Sequence, residues 1–150
     1  DKFFAINEVV IKGLYRVVNL LVSMDGKELM QIAGDGLIIA SQTGSTAYSL
    51  SSGGPIVDPK LNCLILTPIN PIGLPVPSIV VGANEKIRVK VLGENEVSLV
   101  LDGQEYKKLA KNDIVEILKG DNIVKLGYLG SDYFTQAINN KLGFAKRLGF

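Results

Sequence analysis

The chain has 150 residues, enough for one domain with a sizeable core. Apolar residues make up 47% of it and the net charge is +1, which argues against a nucleic-acid binder held by a strong basic field. It has no histidine and one cysteine, so these residues cannot build a Ser-His-Asp triad, a Cys-His pair, a histidine zinc site or an internal disulfide.

In chain order the elements are mostly short strands. "FFAINEVVI" and "YRVVNLLVSM" are rich in β-branched and aromatic residues, and Gly13 separates them. The chain opens at Asp1 and runs almost at once into the first of these strands, which predicts a segment of a longer protein. "MDGKELMQIAGDGLIIAS" holds two Asp-Gly pairs, Asp25-Gly26 and Asp35-Gly36, each suited to a tight turn. A short helix is predicted to begin near Thr46 and stop at Gly53-Gly54. Cys63 lies in the strand-like "NCLILTP" and reads as a core residue. "PINPIGLPVP" carries four prolines and predicts a stiff extended loop. "KIRVKVL" alternates strictly, with Lys86, Arg88 and Lys90 opposite Ile87, Val89 and Val91, as a half-buried strand does. "VSLVLDGQEYKKLA" predicts a hairpin turning at Asp102-Gly103. "DIVEILKG" and "IVKLGYLG" supply two more strands, and "DYFTQAINNKLGF" has helical spacing. The expected fold is therefore mainly β: a two-sheet antiparallel β-sandwich, a short helix after T-G-S-T-A-Y, and a C-terminal helix. No apolar run reaches the roughly 18 residues of a membrane-spanning helix. The lone cysteine fits a reducing, cytoplasmic setting.

The chemistry concentrates in "DGLIIASQTGSTAYSLSSGGPIVDP", an apolar strand followed by glycines and hydroxyls with almost no charge. It has no G-K-[ST] and no G-x-S-x-G, so it is neither a Walker A loop nor a nucleophile elbow. Glycines let a backbone approach a ligand closely, and Thr43, Ser45, Thr46, Ser49 and Ser51 donate or accept hydrogen bonds. Tyr48 adds a flat ring with a polar tip. This composition suits an uncharged, hydroxyl-bearing aromatic ligand such as a nucleoside. It equally suits a loop that caps a helix and turns the chain.

The order of the residues resembles the C-terminal domain of NAD kinases, where an Asp-Gly strand runs into T-G-S-T-A-Y-S-L-S-x-G-G-P-I. Asn7-Glu8 resembles the family's Asn-Glu pair, "LILTPINP" its L-T-P-I-x-P loop, "LVLDGQ" its Asp-Gly-Gln hairpin and "DYFTQAINNKLGF" its closing helix. The resemblance implies transfer of a phosphoryl group from ATP or inorganic polyphosphate, with Mg²⁺ or another divalent cation, to the 2′-hydroxyl of the adenosine ribose of NAD, giving NADP. It implies NAD contacts from Asn7, Glu8, Asp35, Thr43, Thr46, Ala47, Tyr48, Ser49, Leu50, Ser51, Asn70 and Gln104, with Asp35 and Asn70 reaching ligand on a neighbouring chain of a homotetramer or homodimer. It also implies a general-base aspartate in the G-G-D-G-T motif of an N-terminal α/β domain. No G-G-D-G-T occurs in these residues, so no catalytic residue and no metal ligand is expected in them, and residues 1–150 alone are expected to be inactive. Two departures stand out. Ala33 occupies a position that is basic in many members, and Gln42 replaces a proline. A lipid kinase of the diacylglycerol or sphingosine kinase type and a non-catalytic β-sandwich interaction module are the alternative readings. No nucleic-acid or membrane partner is expected.

Overall fold

The computed structural model describes residues 1–73, 75–122, 124–125 and 133–143. Alternating and continuous β-branched runs set its strands. They are β1 (Glu8–Gly13), β2 (Val18–Met24), β3 (Lys27–Gly34), β4 (Gly36–Ser41), β5 (Cys63–Ile69), β6 (Ile79–Gly82), β7 (Ile87–Val91), β8 (Val97–Leu101), β9 (Gln104–Leu109) and β10 (Ile114–Ile117). A 3₁₀ turn at Thr43–Thr46 leads into α1 (Tyr48–Ser51), and α2 covers Tyr133–Leu142. The strands form two antiparallel sheets, a six-stranded one in the order β6-β5-β4-β1-β8-β9 and a four-stranded one in the order β10-β7-β2-β3. This is the two-sheet sandwich expected, with both helices at the places the sequence predicts.

The two inner faces seal on each other. Ile11, Leu37, Ile39, Leu64, Leu66, Val97, Leu99 and Leu101 of the larger sheet meet Val18, Leu20, Val22, Ile32, Ile87, Val89 and Val91 of the smaller one in one buried cluster. Burying each such side chain fully contributes about 1.5–3 kcal/mol. The predicted alternation of β7 holds, with Ile87, Val89 and Val91 buried and Arg88 exposed. Arg88 pairs with Glu116 of β10 at 2.7 Å. The larger sheet also has a second, smaller apolar cluster on its outer face, made by Val10, Ile38, Ala40, Val57, Cys63, Ile65 and Ile69. Cys63 is thus a core residue, and burial pushes its thiol pKa up.

Four expectations change. The Asp25-Gly26 and Asp102-Gly103 pairs do turn hairpins, β2–β3 and β8–β9. Asp35-Gly36 does not, because β3 and β4 lie in different sheets and Asp35 is the corner between them. The glycine there serves close approach: a Cβ on Gly36 would fall 2.4 Å from the Ile11 carbonyl oxygen. The first strand begins at Glu8, and residues 3–7 of "FFAINEVVI" form no strand, since Asp102 takes up the N–H groups of Ile6 and Asn7. The second strand begins at Val18, after a loop over residues 14–17. The proline-rich stretch is split, with Pro68 and Ile69 completing β5 before the chain leaves the sheet at Asn70. The strand expected in "IVKLGYLG" falls mostly outside the described residues.

Candidate nucleotide site

The outer face of the larger sheet carries the polar residues the sequence singled out. Alternation along β1 puts Glu8, Val10 and Lys12 on that face, Glu8 and Lys12 about 13 Å apart. Val10 joins the outer cluster. The segment over residues 43–57 covers β4 and β5, and two hydroxyls pin it. The Ser45 Oγ accepts from the Val57 N–H at 3.2 Å. The Ser49 Oγ meets the Thr67 Oγ1 at 2.9 Å, and Ser78 donates to the same Thr67 oxygen at 3.2 Å. Ser45 and Ser49 are both fully buried.

One end of the face is a tightly built corner. The Asp102 carboxylate accepts from three consecutive backbone N–H groups: Ile6 at 2.7 Å, Asn7 at 2.8 Å and Glu8 at 3.0 Å. The Asn7 carbonyl accepts from the Ser41 N–H at 2.8 Å. Gly44 lies directly against it; a Cβ there would sit 2.1 Å from the Asn7 oxygen. Ser41 ties the two chains together, donating from its Oγ to the Ile6 carbonyl and accepting from the Gly44 N–H. Within this corner Glu8 is only 7% exposed, and its Oε2 has no hydrogen-bond partner. Burial raises the Glu8 pKa, and the negative Asp102 beside it raises it further. A buried carboxylate oxygen without a partner is an acceptor available to a hydroxyl donor.

The other end opens into a shallow cleft of about 340 Å³. Lys12, Arg16, Asp35, Tyr48 and Asn70 line it together with the 13–15 loop. Asp35 and Asn70 form one unit, the Asn70 Nδ2 donating to the Asp35 Oδ2 at 2.7 Å. The Asp35 N–H also donates to the Ile69 carbonyl, and Asn70 takes a left-handed φ of 43° that turns its amide back onto Asp35. Tyr48 is 39% exposed, so its ring is available beside this cleft.

The structure thus brings Asn7, Glu8 and Gly44 together at the corner, with Thr43 preceding Gly44 in the 3₁₀ turn, and Asp35, Tyr48 and Asn70 together at the cleft. Thr46 and Ser51 are exposed on the covering segment, and Ala47 and Leu50 are half-buried. Ser49 points into the sheet toward Thr67. Gln104 is exposed at the start of β9, two strands from β1. Among the described residues no group of three or more Asp, Glu, Cys or His side chains converges to hold a metal ion. Nor, among them, is any helix long and apolar enough to cross a membrane.

Residues 6–127 match the family model of the ATP-NAD kinase C-terminal domain. The chain belongs to this family. It is 41% identical to the NAD kinase of Syntrophotalea carbinolica over 149 residues, which cover 97% of this chain and 52% of that protein. It is 34% identical to the NAD kinase of Treponema denticola over 148 residues, 96% of this chain and 52% of that protein. Among solved structures it is similar to yeast NADH kinase complexed with NADH, with a TM-score of 0.86, 27% identity and coverage of 97% of this chain and 45% of that one. It is also similar to an NAD kinase from Archaeoglobus fulgidus in complex with ATP, with a TM-score of 0.70, 34% identity and coverage of 78% and 46%. The chain spans about half the length of the curated relatives it matches.

Sequence reasoning passed over three residues that the structure places at the corner and the cleft. Asp102 reads in the sequence only as a hairpin turn, because its carboxylate acts on a strand 94 to 96 residues away. Lys12 and Arg16 carry no motif of their own. The period-two pattern of β1 placed Lys12 on the same face as Glu8, and that was the available signal.

Proposed function

We propose that this chain supplies most of the NAD-binding site of an NAD kinase, which phosphorylates the 2′-hydroxyl of the adenosine ribose of NAD to make NADP from ATP or inorganic polyphosphate. The observation that carries the reading is the buried, unpartnered Glu8 carboxylate beside Asn7 and the T-G-S-T-A-Y turn. A ribose offers hydroxyl donors to that carboxylate, the Asn7 amide suits an adenine edge, and Thr46, Ala47 and Tyr48 form the adjoining wall. Ser49, Leu50 and Ser51 continue the strip, with Ser49 supporting it from beneath. Asp35, Asn70 and Gln104 complete the contacts, the first two from a neighbouring subunit of a homotetramer or homodimer.

A ribose hydroxyl is a poor nucleophile at neutral pH and needs a positioned base. We assign that base to an aspartate outside these residues. The described residues build no metal cage, so the divalent cation belongs with the phosphoryl donor and none of its ligands is assigned here. The enzyme is read as cytoplasmic. The test has two arms. Calorimetric titration of NAD into the protein at its full natural length should give saturable binding, and turnover with ATP or polyphosphate should give NADP. Residues 1–150 alone should bind NAD weakly and form no NADP. Absence of saturable NAD binding at full length overturns the reading, and displacement of bound NAD by a diacylglycerol would favour a lipid kinase instead.

A further inference from the structure

We propose that Asp102 is the positioning residue of this site: its carboxylate holds the backbone of residues 6–8 so that the Asn7 and Glu8 side chains are preformed for the nucleotide. The inference rests on reading that edge as the ribose-recognition strip. Three observations converge on it. One carboxylate takes three consecutive N–H donors at 2.7–3.0 Å, from the very residues where the coil becomes β1. The Asp102 N–H donates to the Glu8 carbonyl at 3.1 Å, so Asp102 and Glu8 are bonded in both directions. On the opposite side Asn7 is blocked by Gly44 and held by Ser41. Residues 6–8 are therefore clamped between a hairpin tip and the 3₁₀ turn.

A hairpin turn alone does not require this. Asp102 sits at a φ of 47°, a conformation that Asn or Gly adopts as well. What neither supplies is two anionic acceptor oxygens. Ionic acceptors make roughly twice the bond of a neutral one. The same negative charge sits beside the unpartnered Glu8 carboxyl, so the clamp also makes that oxygen a stronger acceptor for a donor arriving with the ligand. It equally makes this corner repel phosphate, which fixes the ligand's direction: hydroxyls at Glu8, phosphates elsewhere.

The variants Asp102→Asn and Asp102→Gly test this in the protein at its full natural length. Asp102→Asn should weaken NAD binding by about tenfold and Asp102→Gly by more, and both should lower the melting temperature, the glycine variant further because it loses all three carboxylate bonds. In a Glu8→Ala background the Asp102→Asn step should cost less than about threefold, because its partner's role is already gone. Amide exchange in the peptide covering residues 6–8 should speed up in both variants while that of β7 stays unchanged. Wild-type affinity in folded Asp102→Asn overturns the inference, and so does a loss that is additive with Glu8→Ala, which would mark a structural role alone. If either variant fails to fold, unchanged exchange at residues 6–8 in the other overturns it. Absence of NAD binding by the wild type removes the functional reading itself, and this inference with it.

Discussion

Gly44→Ala is the sharpest probe of how this site is built. The backbone there is not left-handed, so alanine brings no conformational strain of its own. The cost is steric. The new Cβ would lie 2.1 Å from the Asn7 carbonyl oxygen, 2.6 Å from its carbon and 2.8 Å from its Cα. All three are backbone atoms, and they cannot rotate away as a side chain can. Either the 3₁₀ turn or the start of β1 must move. Movement stretches the Ser41 N–H bond to Asn7, the Gly44 N–H bond to the Ser41 Oγ and the Ser41 Oγ bond to Ile6. Overpacking costs about 1–3 kcal/mol, and a typical net hydrogen bond adds about 1 kcal/mol. Partial relaxation makes these less than additive, so about 2–4 kcal/mol is expected. At 2–4 °C per kcal/mol, the melting temperature should fall by roughly 5–15 °C. Differential scanning calorimetry against Lys60→Ala, an exposed control, measures it. NAD affinity should fall too, because the displaced residue is Asn7. A melting temperature within about 2 °C of wild type would refute the reasoning, since the turn would then slide as a unit without loss.

Tyr48→Ala should weaken NAD binding by about tenfold or more, given the roughly 1–3 kcal/mol of an aromatic face against a base. It should leave the melting temperature almost unchanged, because the ring is already partly exposed; unchanged affinity by calorimetry would assign it to packing. Ser49→Ala should do the reverse, costing about 1 kcal/mol of stability through the lost bond to the Thr67 hydroxyl, which keeps Ser78 alone, and little affinity. Glu8→Gln should raise stability at neutral pH. The Glu8 pKa lies above its ordinary value of 4.5, so its proton-linked stability is fully present below about that pH and is lost as pH rises through the raised value. The glutamine variant does not titrate, so denaturant midpoints should show its advantage opening above pH 4.5 and closing below it, while NAD affinity falls. A gap independent of pH would refute the assignment.

The strands were legible because their side chains report directly on burial. Ile11 and Lys12, or Ile87 and Arg88, differ in a way that period two exposes. The Asp25-Gly26 and Asp102-Gly103 hairpins were legible for the same local reason. Asp35-Gly36 misled, since a tight hairpin and a corner between sheets use the same dipeptide and differ only in where the next strand pairs. The T-G-S-T-A-Y run was visible as chemistry, but not the division of labour inside it. That division depends on Val57, at the far end of the same segment, and on Thr67 of β5. Asp102 was invisible for the strongest reason: its partners are backbone N–H groups nearly a hundred residues away, and a backbone donor leaves no mark on a sequence.

The spacing of the two buried serines explains why Thr46 and Tyr48 face outward. Ser45 is fixed by Val57, the far end of the same segment, which packs in the outer cluster, and Ser49 by Thr67 of β5 beneath it. Three residues between two fixed points must bridge the change from the 3₁₀ turn to α1, and Ala47 does so with its N–H bonded to the Gly44 carbonyl. The chain cannot bury Thr46 or Tyr48 without breaking a pin, so both remain exposed. Little room is left at the second pin: a Cβ on Gly54 would lie 2.2 Å from the Ser49 Oγ and 2.8 Å from the Thr67 Oγ1. Serine meets both demands at once, with a hydroxyl to bond and almost no volume. The hydroxyl-rich run is thus two things in alternation: positions that hold the segment down, and positions that holding it down keeps exposed.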